Sequence, residues 1–223
     1  MTRIVAIDGP SGAGKSTMAR ELAGYLGYIY VDTGALYRAI GLFVLSKNVN
    51  ASDEKAIIPL LSQISIELRY KEGEQRVFLN KEDVSGNIRT EDVSMAASAV
   101  SALPAVREFL LGLQRKISRE NDVVMDGRDI GTVVAPDAAL KIFLTATPED
   151  RAMRRYEELV KRGVETNYED LLKDMKIRDN NDQSRETSPL RPAEDAIIVD
   201  TTGNELWVSI ELLKKIVKEN LST

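Results

Sequence analysis

Short apolar runs rich in β-branched residues recur at residues 4–8, 28–31, 123–126, 140–146 and 196–200, and longer stretches with helical spacing separate them. A short apolar run bounded by polar residues suits a strand covered on both faces, as the strands of a parallel sheet are. Strand and helix in repeated alternation predict an α/β fold with a doubly wound parallel sheet flanked by helices, whose ligands bind beyond the carboxyl ends of the strands. One helix is clearly punctuated: Thr147 offers an N-cap hydroxyl, Pro148 a preset φ, and Glu149 and Asp150 acids for the first turn, while Gly163 suits the far end. From residue 204 onward the pattern is that of an amphipathic helix docked on the rest of the chain.

One segment breaks the alternation. Residues 64–70 and 76–79 alternate apolar with polar around the turn-like Lys71-Glu72-Gly73-Glu74, which predicts an inserted antiparallel hairpin continuing to about residue 88. With 223 residues and 43% hydrophobic content, the chain can bury one sizeable core with room for such an insertion, so a single domain is expected. No internal repeat or long linker divides it.

A net charge of -5 supplies no basic field of the kind that wraps a nucleic-acid polymer. Charges interrupt every apolar stretch well before the length of a membrane span or a signal-peptide core, so no membrane partner is expected. Cysteine is absent, which fits a reducing compartment; a cytoplasmic monomer is the expectation. Histidine is absent too, and any chemistry must run on Lys, Arg, Asp and hydroxyls.

Gly9-Pro10-Ser11-Gly12-Ala13-Gly14-Lys15-Ser16 matches the Walker A pattern directly after an apolar strand and before a helix, the context that pattern needs. The glycines let successive N–H groups and the helix N-terminus point at a β-phosphate, with Lys15, expected exposed at the loop, reaching the β/γ oxygens and Ser16 ligating Mg²⁺. A nucleotide polyphosphate ligand follows, but a phosphate loop alone does not separate kinases from GTP-driven switches and ATP-driven motors.

Further motifs sit at other strand ends. Asp32-Thr33-Gly34-Ala35-Leu36-Tyr37-Arg38 places a hydroxyl, a ring and a guanidinium at a helix start, suited to an anionic acceptor or to simple helix capping. Asp126-Gly127-Arg128-Asp129 ends a predicted strand, where Asp126 could hold Mg²⁺ through water as a Walker B acid does. Arg178, Asp182 and Arg185 fall on one helical face, as phosphate ligands or as a surface ion-pair array. A rival reading comes from Asn80-Lys81-Glu82-Asp83, which has the N-K-x-D form of a guanine-reading switch; the D-x-x-G element expected before it occurs only later, at Asp200-Thr201-Thr202-Gly203.

Taken together, G-P-S-G-A-G-K-S, V-D-T-G-A-L-Y-R, D-V-S-G-N-I-R, M-D-G-R-D-I-G-T-V-V and R-D-N-N-D-Q-S-R-E-T-S-P-L closely resemble the bacterial cytidylate kinases, from about residue 4 to the final helix. The resemblance implies a P-loop nucleoside monophosphate kinase fold: a five-stranded parallel core, a small inserted antiparallel sheet over the acceptor, and a short helical lid. Within the one domain it implies a core of residues 1–34, 99–150 and 190–223, an insertion at about 35–98 holding the 64–88 hairpin, and a lid at about 151–185. It implies transfer of the γ-phosphoryl group of ATP, with Mg²⁺, to CMP or dCMP. Residues Gly9 to Ser16 with Thr17 would hold ATP, and Lys15, Arg128 and Arg185 would neutralise charge in the transfer. Ser98, Arg107 and Asp129 would face the cytosine ring, Arg178 and Asp182 the pentose, and Arg38, Arg128 and Arg185 the phosphates, with Thr33 and Tyr37 beside the acceptor. Arg151, Arg154 and Arg155 would belong to the lid. A carboxylate can accept from cytosine's amino group, whereas uracil's carbonyl would leave it unpaired at about 1–3 kcal/mol. Other small-molecule P-loop kinases, acting on AMP, dephospho-CoA or a sugar acid, are the nearest alternative, and the inserted hairpin argues against them.

Overall fold

The computed structural model describes residues 2–71 and 73–221. In chain order the elements are β1 (Ile4–Asp8), α1 (Lys15–Leu26), β2 (Ile29–Asp32), α2 (Gly34–Ser46), α3 (Glu54–Leu61), β3 (Ile66–Lys71), β4 (Glu74–Leu79) and β5 (Glu82–Asp83). They continue with α4 (Glu91–Val100), α5 (Pro104–Glu120), β6 (Val123–Gly127), β7 (Leu140–Thr145), α6 (Pro148–Lys161), α7 (Tyr168–Ser184), β8 (Ile197–Asp200) and α8 (Leu206–Asn220). Two compact units result, Met1–Tyr30 with Asn121–Thr223, and Val31–Glu120. The second takes in α5, beyond the 35–98 insertion expected above.

The first unit is built on the five-stranded sheet, ordered β2-β6-β1-β7-β8. β1 lies parallel to β6, with Ile7 opposite Asp126, and parallel to β7, with Ile7 opposite Ile142. All five residues of β1 are buried, as a central strand covered on both faces requires. Val5, Ile7, Met18, Leu22, Ile142 and Leu213 join one apolar cluster, in which a fully buried side chain such as Ile7 contributes roughly 1.5–3 kcal/mol. The C-terminal amphipathic pattern is α8, which buries Leu213 and Val217. α6 begins as its sequence dictates: the Thr147 hydroxyl accepts from the Asp150 N–H and Pro148 opens the helix. The expected strands at 28–31, 140–146 and 196–200 shift by a residue at one or both ends.

The second unit packs α2, α4 and α5 around Leu36, Ile40, Val100 and Leu110, with Val77 and Leu79 of the small sheet. Gly41 lets α2 approach α4, since a Cβ there would stand 2.9 Å from the Ala97 nitrogen. The predicted hairpin is β3 paired antiparallel with β4, Ile66 opposite Leu79, but it is one part of a three-stranded sheet. The sequence reading missed β5 because only two residues form it. Its turn is the stretch read as N-K-x-D: Asn80 and Lys81 have φ of 49° and 74°, the left-handed pair of a tight hairpin turn. The Asn80 carboxamide accepts from the Ser65 N–H and donates to the Gln63 carbonyl, while Asp83 accepts from Ser85, so the motif's polar groups serve the turn. Of the expected turn at 71–74, Glu72 lies outside the described residues.

Candidate active site

The phosphate loop leaves β1 at Asp8 and re-enters a helix at Lys15. Gly9 is required by close approach, because a Cβ would meet the Leu144 carbonyl oxygen at 2.0 Å. Contrary to the exposed position expected for it, Lys15 is only 6% exposed. The loop curls over its own lysine, whose Nζ donates to the Pro10 carbonyl at 2.7 Å. Burial, with the positive charge of Arg128, brings the ammonium down to about 7; Asp126, Asp182 and Asp8 act in the opposite direction. A cation so poorly solvated is poised to pair with phosphate oxygens.

Ser16, next on α1, donates from Oγ to Asp126 Oδ2 at 2.8 Å, and the Tyr30 hydroxyl donates to Asp126 Oδ1 at 3.1 Å. Asp126 is thus a buried acid at the carboxyl end of β6 with both oxygens engaged. A serine hydroxyl beside a carboxylate is a hard-oxygen donor set that fits Mg²⁺. Among the described residues no group of three acidic side chains could hold a metal alone.

After β6 the backbone forms a wide helical turn, Ile130–Val134, in which the Val134 N–H reaches the Asp129 carbonyl and the Ala135 N–H the Ile130 carbonyl. Such i→i+5 turns are rare, occur mostly as single turns and are frequent at functional sites. Asp8 holds its start: Oδ1 accepts from the Ile130 N–H and Oδ2 from the Gly131 N–H, both at 2.8 Å. Burial pushes the Asp8 carboxyl up to about 6, helped by the negative charge of Asp129 and resisted by the two N–H groups and Lys15.

Arg128 donates from Nε to Asp182 Oδ2 at 2.8 Å, and Arg185 Nη2 lies 3.3 Å from Asp182 Oδ1. Burial raises the Asp182 carboxyl, but Arg128 and then Arg185 more than offset it, holding the group below the usual carboxylate range. Arg185 is the C-cap of α7, and its side chain stays beside that of Asp182, one turn back, as helical spacing suggested. Its ψ of 136° turns the chain out of the helix after it, and its Nε donates to the Asp182 carbonyl. Arg178 is half-buried on α7.

The three α6 arginines part ways. Arg151 is 2% exposed and donates to the Ala146 carbonyl, to the phosphate-loop carbonyl of Ser11 at 2.8 Å, and to both oxygens of Asp179 on α7. Arg154 binds Thr201 and Asp150, and only Arg155 is exposed, paired with Glu158.

In the second unit, Asp32 caps α2 by accepting the Ala35 N–H on Oδ1 and pairs through Oδ2 with Arg38 at 2.7 Å, so capping and ion pairing coexist. Thr33 is buried beside it. Arg107 is 7% exposed, donates to the Ser101 carbonyl, and lies over the Tyr37 ring at 5.5 Å. Ser98, on α4, accepts from the Ser101 hydroxyl through its carbonyl.

The structure therefore gathers Lys15, Ser16, Asp126, Arg128, Asp182 and Arg185 in the first unit and Asp32, Thr33, Tyr37, Arg38, Ser98 and Arg107 in the second. Sequence reading missed Asp8, Tyr30 and Asp179. For Asp8 a signal existed: an acid closing an otherwise apolar strand, immediately before the loop glycine.

A parallel sheet whose central strand feeds a glycine loop, a buried lysine and a hydroxyl–carboxylate pair has the architecture of the P-loop phosphate-binding proteins, the kinases among them. The sequence profile described as cytidylate kinase matches residues 5–219. A cytidylate kinase of Caldicellulosiruptor bescii is 50% identical, covering 97% of this chain and 98% of the relative. One of Caldanaerobacter subterraneus subsp. tengcongensis is also 50% identical, covering 99% and 96%. The fold recurs in the crystal structure of an uncharacterized protein from Eubacterium ventriosum, with TM-score 0.54 at 12% identity over 98% of this chain and 99% of that one. The chain belongs to the cytidylate kinase family of nucleoside monophosphate kinases.

Proposed function

We propose that this protein transfers the γ-phosphoryl group of ATP to CMP or dCMP, releasing ADP, in the cytoplasm. The observation that carries the residue-level reading is the cation cluster of the first unit: a buried phosphate-loop lysine that feels the charge of Arg128, itself held by Asp182 with Arg185. The location rests on ATP as co-substrate and on a chain without cysteine.

In this reading the phosphate loop, Gly9 to Thr17, holds the ATP phosphates on its N–H groups and on Lys15. Ser16 and Asp126 would hold Mg²⁺, largely through water, and the ion would supply charge neutralisation across the phosphates. An acceptor phosphate oxygen forms a bond to the γ-phosphorus as the bond to the β-phosphate oxygen breaks and ADP leaves with that electron pair. No base is needed, since a phosphate monoester loses its second proton with a pKa of about 6, which accounts for an enzyme without histidine. Arg128 and Arg185 neutralise charge on the moving group, and Arg38 the acceptor phosphate. Arg178 and Asp182 take the pentose; Ser98, Arg107 and Asp129 take the cytosine ring, with Asp129 accepting from its amino group. Thr33 and Tyr37 flank the acceptor, and residues 151–185 act as a lid, with Arg155 its most solvent-facing arginine.

Asp129→Asn tests the base reading. An amide can turn its NH₂ toward uracil's carbonyl, so the CMP-to-UMP ratio of kcat/KM should fall by roughly 10-fold or more. Equal losses with both substrates would make Asp129 a support for its neighbours with no part in base selection.

A further inference from the structure

We propose that Asp8 is a positioning residue for base selection: by clamping the first N–H groups of the 130–134 turn, its carboxylate fixes the direction of the adjacent Asp129 side chain. This rests on the reading of Asp129 as the acid that faces cytosine. Asp8 itself touches no substrate in this account; it acts through the backbone.

Each Asp8 oxygen takes a different N–H, from Ile130 and from Gly131, at the same 2.8 Å, so the turn is held at two successive peptide planes immediately after Asp129. Two bonds to one planar carboxylate fix orientation as well as distance, which one bond would not. The partners are 122 and 123 residues away along the chain, so the clamp joins the end of the phosphate-loop strand to the segment that follows β6. That segment has little slack. A Cβ on Gly131 would stand 3.1 Å from the Lys141 side chain and 3.4 Å from Asp8 Oδ2. Its i→i+5 pattern is a rare backbone form.

Packing alone does not explain an acid here. Asp8 is 5% exposed and lies close enough to Asp129 for the two negative charges to oppose each other. A buried carboxylate beside a second one is costly, and an apolar residue would fill the space without that cost. What only a carboxylate of this length provides is two acceptors with no donor. Asparagine has one acceptor oxygen, and its NH₂ would face an N–H.

The test is a double-mutant cycle on the full-length protein, reading the CMP-to-UMP ratio of kcat/KM in Asp8→Asn, Asp129→Asn and the double variant, with circular dichroism to establish folding. Asp8→Asn should lower the ratio about 5-fold, and in the Asp129→Asn background it should lower it no further. A folded Asp8→Asn variant with the parental ratio overturns the proposal while leaving the Asp129 reading intact. A ratio lowered equally in both backgrounds also overturns it, because Asp8 would then act by another route. An Asp129→Asn variant with the parental ratio removes the Asp129 reading, and this proposal with it. If Asp8→Asn does not fold, Asp8→Glu takes its place: it keeps both acceptors one methylene further out, shifts the turn, and is held to the same outcomes.

Discussion

The buried cluster of the first unit and the three-stranded sheet of the second use charge in opposite ways. In the first, Asp8, Lys15, Asp126, Asp129, Arg151, Asp179 and Asp182 are all buried, and their partners lie far off along the chain: Arg128 with Asp182, Arg151 with Asp179, Ser16 with Asp126. On the three-stranded sheet of the second, the ion pairs are two residues apart and exposed, Glu67 with Arg69 and Glu74 with Arg76. Exposed pairs of that kind contribute little, whereas a buried charge is retained only where its partners hold it. The difference separates charge that keeps a surface wet from charge arranged to meet a polyphosphate.

The largest expected break in this contrast is Lys15→Ala, which should lower kcat roughly 100- to 1,000-fold in a steady-state assay. Because burial already disfavours the ammonium, the melting temperature should stay level or rise; a variant that melts well below the parent would make Lys15 a structural residue.

Next comes pH. Asp8 has its carboxyl pushed from 3.8 up to about 6, so between those values the folded chain keeps a proton that the unfolded chain has released. Ionised Asp8 therefore weakens the fold by up to about 3 kcal/mol above pH 6, and the penalty is relieved as pH falls toward 4. Lys15 and Asp129 face this carboxyl and are common to parent and variant. The melting-temperature gap between the parent and Asp8→Asn should thus move in the parent's favour by several degrees on going from about pH 7 to pH 4.5. A gap that does not change with pH would show that Asp8 titrates normally.

The smallest effect belongs to the second unit's sheet: Arg76→Ala should move the melting temperature by roughly 2 °C or less and leave kcat/KM unchanged. A larger loss would mean that an exposed local pair matters as the buried ones do.

That contrast also explains what could be read from sequence. The five parallel strands, the phosphate loop and the capped start of α6 are local patterns of apolar period, glycine and cap residues, and all three stand where those patterns put them. Asp8 gave only a weak local signal, because its partners are defined by β1 lying beside β6. Arg151 reads as a surface helix cation until α7 brings Asp179 to it, and the burial of Lys15 depends on a loop folding over its own side chain. Asn80-Lys81 is the converse: a short motif shared by a guanine reader and a hairpin turn, disfavoured as a reader by the late D-x-x-G element and assigned to the turn by its backbone φ and side-chain hydrogen bonds.

The most direct test of the account is ADP release by the purified protein with ATP and Mg²⁺ and, in parallel, CMP, dCMP, UMP, AMP or no acceptor. Rapid release is expected with CMP and dCMP, slower release with UMP, and only background with AMP or without acceptor. Comparable turnover with AMP, or ADP formed at the same rate with no acceptor present, would contradict it.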